Sequence, residues 1–101
     1  EAAGPSASRA PDLRERMRAA FAADLPKRRG ELASAMAVRD RDAAARVLHG
    51  LRGSAGYLGE VELNQLCGEL EHAADVGDWA RLSAALPRLS ALLSAFQETA
   101  V

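Results

Sequence analysis

The chain has a single cysteine, Cys67, so it can form neither an internal disulfide nor a cysteine-built zinc cluster. A reducing, cytoplasmic setting is expected, with no metal site. It also lacks an excess of charge of either sign: 13 Lys and Arg face 14 Asp and Glu, giving a formal net charge of -1 and a pI near 6.1. That balance removes the broad attraction to phosphate backbones on which nucleic-acid binders depend, so no nucleic-acid partner is expected. No apolar run of about 18 residues occurs, and the amino terminus has no basic-then-apolar layout. Neither a spanning helix nor a secretory signal is read here, and no direct membrane contact is expected. Finally, β-branched residues are almost missing, which removes the usual material of a sheet.

What is present is Ala, Leu, Arg and Glu, all strong helix formers, so the fold is expected to be all-α. At 101 residues and 49% hydrophobic, the chain can bury one core. Residues 1–10, EAAGPSASRA, have linker composition and are read as a flexible tether, with one domain over 11–101. The first residue is Glu1 rather than Met, which suits a piece of a longer protein.

Four amphipathic stretches follow. The first, about Asp12 to Val38, carries Leu13, Met17, Ala20, Phe21, Leu25, Leu32 and Met36 on one face, and Pro26 inside it predicts a kink or a split into two helices. The Lys27-Arg28-Arg29 run is read as a solvated face, the alternative being that it meets an acidic patch on a partner. An Asp in Arg39-Asp40-Arg41-Asp42 suits the N-cap of a second helix, about Asp42 to Leu58, with Ala44, Val47, Leu48, Leu51, Ala55 and Leu58 as its core stripe. Tyr57 and Leu58 are expected to anchor its end, with flanking of a docking surface as the alternative for Tyr57. After Gly59 and Glu60 comes a third helix, about Val61 to Val76, with Leu63, Leu66, Cys67, Leu70 and Ala74 inward. Gly77 ends it, Asp78 caps a fourth, and Trp79, Leu82, Leu86, Leu89, Leu93 and Phe96 line that one, with a bend at Pro87. Short connections make neighbours antiparallel, so an up-down four-helix bundle is predicted.

One residue on the second helix breaks the pattern usefully. At 100° per residue from Ala44, the core stripe falls between about 300° and 40°, whereas His49 falls at about 140° and points to water. Around it on that face are Ala45, Arg52, Gly53 and Gly56. Gly50, Gly53 and Gly56 together cost this helix roughly 2–3 kcal/mol against alanine, out of a typical stability of about 5–15 kcal/mol. Gly53 and Gly56 face outward with His49, where packing within the chain gives them little reason. They are therefore read as clearing space for a partner that approaches the imidazole. His72 also faces outward, in a plain setting, and is read as a solvated residue.

The segment His49-Gly50-Leu51-Arg52-Gly53-Ser54-Ala55-Gly56-Tyr57-Leu58-Gly59 resembles the histidine phosphotransfer (HPt) domains of multistep phosphorelays: a His, any residue, an apolar residue, a basic residue, Gly, then small residues and a second Gly. Leu66-Cys67-Gly68-Glu69-Leu70-Glu71 resembles that family's third helix and Gly77-Asp78-Trp79 its turn into the fourth, so the likeness covers about Phe21 to Leu93. The basic position, most often Lys in the family, is Arg52 here. The resemblance implies a phosphocarrier of two-component signalling rather than an enzyme. His49 would take a phosphoryl group from the aspartyl phosphate of a receiver domain and pass it to another. Arg52, Gly53 and Gly56 would serve phosphoryl and partner binding. No cofactor is implied, because the Mg²⁺ for transfer would belong to the receiver, and no nucleotide loop marks a kinase. The implied partners are response-regulator receivers and a hybrid sensor histidine kinase, of which this chain would be a C-terminal module. A monomer is expected, since the active face needs free access. The alternative reading is a helical docking or dimerisation module that is never phosphorylated.

Overall fold

The structure, a computed structural model, describes residues 12–100. The segment read as a linker lies outside them. Four helices make up the fold: α1 (Leu13–Ala37), α2 (Arg41–Tyr57), α3 (Val61–Asp75) and α4 (Trp79–Thr99). Each packs on its neighbours in chain order and α4 returns to α1, the circuit of an antiparallel up-down four-helix bundle. The α2–α3 seam is the most extensive and the α1–α4 seam the least.

Three of the four helix starts are capped by an aspartate side chain. Asp12 forms a capping box with Glu15, while Asp40 and Asp78 accept from the backbone N–H groups of Ala43 (3.0 Å) and Arg81 (3.1 Å). Glu60 makes no capping bond and instead pairs with Arg18 at 2.9 Å. The three turns share one device. The N–H of Asp40, Glu60 and Asp78 returns to the carbonyl five residues earlier, and that of Arg39, Gly59 and Gly77 to the carbonyl three earlier, the double bond pattern of a Schellman motif. The middle residue must take positive φ: 75° at Gly59 and 72° at Gly77, but also 55° at Arg39, where a side chain is strained.

The core is built from Leu, Ala, Phe and Cys, with Leu25, Leu48, Leu51, Leu70, Leu82, Leu89, Leu93 and Cys67 fully enclosed, and no polar or charged residue among the described residues is buried. Phe21 and Phe96 meet edge to face at 5.1 Å across the thin α1–α4 seam. No helix among the described residues is long and apolar enough to cross a membrane.

Several expectations need correction. α1 is not split at Pro26: the helix is continuous, because Phe21, Ala22 and Leu25 before the proline and Leu32 and Ala35 after it all insert into one core, outweighing one lost backbone bond. α4 also continues through Pro87, where a bend rather than a break is expected. Leu13 and Ala20 lie at the surface, Leu13 because the first turn of α1 contributes no residue to the core. Leu58 anchors the end of α2, but Tyr57 is exposed. The basic run is only partly solvated: Arg28 pairs with Asp24 at 2.6 Å and Arg29 reaches Ser90 (2.6 Å) and Gln97 (2.8 Å) on α4.

The strained turn gives a test. Arg39→Gly should raise unfolding free energy by about 0.5–1 kcal/mol, and Gly77→Ala, whose new Cβ would also press on Arg41, should lower it by about 1 kcal/mol or more. Urea denaturation of the two variants measures both.

Candidate functional site

Along the α2–α3 seam two stripes face each other in antiparallel register. Gly56, Arg52 and His49 on α2 oppose Asn64, Gly68 and Glu71 on α3. A Cβ at Gly56 would stand 3.0 Å from the Asn64 amide, and one at Gly68 would stand 3.4 Å from Cδ of Arg52. Asn64 Nδ2 donates to the Arg52 carbonyl at 2.8 Å, a bond that crosses from one helix to the other. At the third step, His49 Nδ1 lies 3.0 Å from Glu71 Oε2.

His49 is 65% exposed, as its helical angle required, whereas Glu71 is 18% exposed and Arg52 lies between. The Arg52 fork spans the other two: Nη1 is 3.3 Å from Glu71 Oε1 and Nη2 is 3.3 Å from His49 Nδ1. Nδ1 cannot accept from Arg52 and face a carboxylate oxygen at 3.0 Å without setting two lone pairs against each other. The consistent assignment has Nδ1–H donating to ionised Glu71, with Arg52 held near by the carboxylate's charge. Glu71 Oε1 is buried and makes no hydrogen bond, so its contact with Arg52 is an ion pair without hydrogen-bond geometry. The tautomer so fixed leaves Nε2 with its lone pair, and that nitrogen makes no hydrogen bond within the described residues.

Helical side chains lean toward the N-terminus, so the turn bearing His49 is covered from Arg52 and Gly53. Arg52 is drawn aside to Glu71. Gly53 has nothing within 4 Å of where a Cβ would be, so the space beside the imidazole is open. Gly56 has a different explanation from the one expected: it faces outward, yet its missing side chain admits Asn64. Gly50, similarly, lies under the Arg28 guanidinium.

Sequence reasoning placed His49, Arg52 and Gly53 together and missed Glu71, Asn64 and Gly68. A signal was present, since residues 64, 68 and 71 fall at helical spacing on one face of α3 and include a carboxylate and an amide. His72 is exposed and joins no cluster, and no group of three or more His, Cys, Asp or Glu side chains capable of holding a metal forms among the described residues.

The family model of the Hpt domain matches residues 16–99, and the chain belongs to that family. No curated protein and no solved structure matches it. Hpt domains act in histidine phosphotransfer within two-component phosphorelays, as phosphocarriers rather than enzymes in the usual sense, in company with receiver domains and histidine kinases.

Behind the site, Cys67 lies one turn before Glu71. Burial, and secondarily the Glu71 charge, push its thiol up to about 12 from 9.0. Above pH 9 the unfolded chain releases this proton while the folded chain retains it, so stability falls as pH rises from 9 toward 12. The loss should approach about 1 kcal/mol per pH unit. Comparing urea denaturation at pH 8.5 and 10.5, Cys67→Ala should show a visibly smaller drop than the native chain.

Proposed function

We propose that His49 Nε2 accepts a phosphoryl group from the aspartyl phosphate of a receiver domain and delivers it to a second receiver. The observation that carries this reading is the His49–Glu71 hydrogen bond, which occupies Nδ1 and leaves the outward nitrogen as the nucleophile. The Nε2 lone pair attacks phosphorus, the N–P bond forms, and the P–O bond breaks with its electron pair leaving on the aspartate carboxylate. Positive charge that develops on the ring is shared through Nδ1–H with Glu71, so this carboxylate positions and stabilises the imidazole. Arg52, three residues from His49, screens the phosphoryl oxygens, and Mg²⁺ belongs to the receiver. Residues 1–10 tether the domain to a hybrid sensor kinase, and the module works as a monomer in the cytoplasm.

The test is phosphoryl transfer from a receiver charged with acetyl phosphate and Mg²⁺. The native chain should gain acid-labile, base-stable label, His49→Gln should gain none, and Glu71→Gln should label about ten-fold more slowly. Equal labelling of His49→Gln and the native chain would sink the assignment. No labelling of either favours the non-phosphorylated docking module.

Gly53 separates stability from function. Gly53→Leu fills open space on a helix, so it should stabilise the fold by about 0.5–1 kcal/mol while slowing transfer about ten-fold or more by covering the imidazole. Thermal denaturation and the transfer assay on the same sample should move in opposite directions.

A further inference from the structure

Most cations of the bundle are committed to partners within it. Arg18 holds Glu60, Arg28 holds Asp24, Arg52 holds Glu71, Arg81 holds Glu69 and Arg88 holds Glu62. Arg14 and Arg41 reach the carbonyls of Leu58 and Asp75, and Arg29 bonds to side chains of α4. Among the described residues, the side chains of Arg16, Lys27, Arg39 and Arg46 make no hydrogen bond or ion pair. Arg16 lies near the start of α1, Lys27 on α1 and Arg39 in the α1–α2 turn. Arg46 alone shares a helix and a face with His49, three residues before it.

Its isolation is specific. Asp42 is four residues earlier on α2, at the spacing of a helical ion pair, yet no pair forms. Arg46 borders a groove between α1 and α2 whose other charged residues are Asp24, Lys27, Arg28, Glu31 and Asp40. Asp24 is held by Arg28 and Asp40 by its capping bond, which leaves Lys27 and Arg46 against Glu31 as the groove's uncommitted charges. The groove's three cations and three anions balance, and Arg46 is the unpaired cation at its edge on the His49 side of α2. The lean of helical side chains carries the imidazole over the turn of Ala45 and Arg46, and carries Arg46 further toward the helix start. Arg46 thus lies at the rim of the area around Nε2 and does not cover it.

We infer that Arg46 is a docking residue that steers the encounter with the partner: it receives the acidic rim of the receiver's phosphorylation pocket. This rests on His49 being the acceptor. A receiver that holds Mg²⁺ beside an aspartyl phosphate must surround that site with carboxylates, since oxygen anions are the ligands such a cation takes. When Nε2 comes in line with phosphorus, those carboxylates face the surface flanking His49. On the α3 side Arg52 is already paired with Glu71, so the unpaired cation on the His49 face of α2 is Arg46. A charge at an interface rim acts on the rate of encounter and on its salt dependence more than on the chemical step.

The experiment measures the second-order transfer rate to the full chain from whichever acetyl-phosphate-charged receiver domain labels it fastest, at low and at about 0.5 M salt. At low salt Arg46→Gln should be slower by about two- to five-fold and Arg46→Glu by about five- to twenty-fold, while Arg46→Lys should keep most of the native rate. At high salt all four proteins should converge. A deficit in Arg46→Glu that persists undiminished at high salt, failure of Lys to substitute, or no deficit at low salt each overturns the proposal. Labelling of His49→Gln in the same series would instead overturn the acceptor assignment.

Discussion

The register of α2 against α3 is the constraint on which the rest depends. Gly59, at positive φ, turns the chain so that residues on the two helices pair in opposite order: Gly56 with Asn64, Arg52 with Gly68, His49 with Glu71. Two of these steps are glycines that let a long side chain from the other helix lie flat, and the third is the hydrogen bond that fixes the imidazole. A slip of one residue would rotate Glu71 away by about 100° and leave Nδ1 facing water. The Asn64 bond to the Arg52 carbonyl ties the register beside the site. The His49 imidazole is therefore oriented by packing rather than by a mobile loop.

Electrostatics add a cost that the register makes tolerable. Glu71 is the one charged side chain drawn substantially into the α2–α3 seam, with Oε1 buried and lacking a hydrogen bond, directly behind a core otherwise free of polar residues. A carboxylate so placed without a neighbouring charge would be costly. Arg52 supplies that charge at 3.3 Å while its stem crosses Gly68. Burial, with the Glu71 charge adding to it, disfavours ionisation of Cys67 and keeps it a thiol. Structural and chemical roles are thus joined in one triad: the ion pair holds Glu71, and Glu71 holds His49.

How much of this the sequence disclosed depends on how local each feature is. Helix starts at Asp40 and Asp78, the Gly77 stop and the four core stripes follow from capping chemistry and periodicity, which act within a few residues. The exposure of His49 follows from the angle it makes with Leu48, Leu51 and Ala55. Glu71 was illegible as a partner because its role is set across two helices, twenty-two residues away, by a register that neither stripe alone determines. The contact at Gly56 was illegible for the same reason, since the residue it accommodates comes from α3. At Pro26 a local rule was outvoted by core residues on both sides of it, as tertiary packing commonly overrides propensity.

Arginine in place of lysine at position 52 is physically consequential. A lysine ammonium is a compact point charge, whereas the guanidinium here sets one nitrogen on the Glu71 carboxylate and the other near the imidazole. That divided contact keeps the cation beside the site without placing it over Nε2. In the proposed transfer, a fork could keep one nitrogen on Glu71 while the other turned toward phosphoryl oxygens, without stripping the buried carboxylate of its partner. In this chain the identity of residue 52 and the burial of Glu71 are one constraint: the deeper the carboxylate that orients His49, the greater the need for a cation able to serve two anions at once.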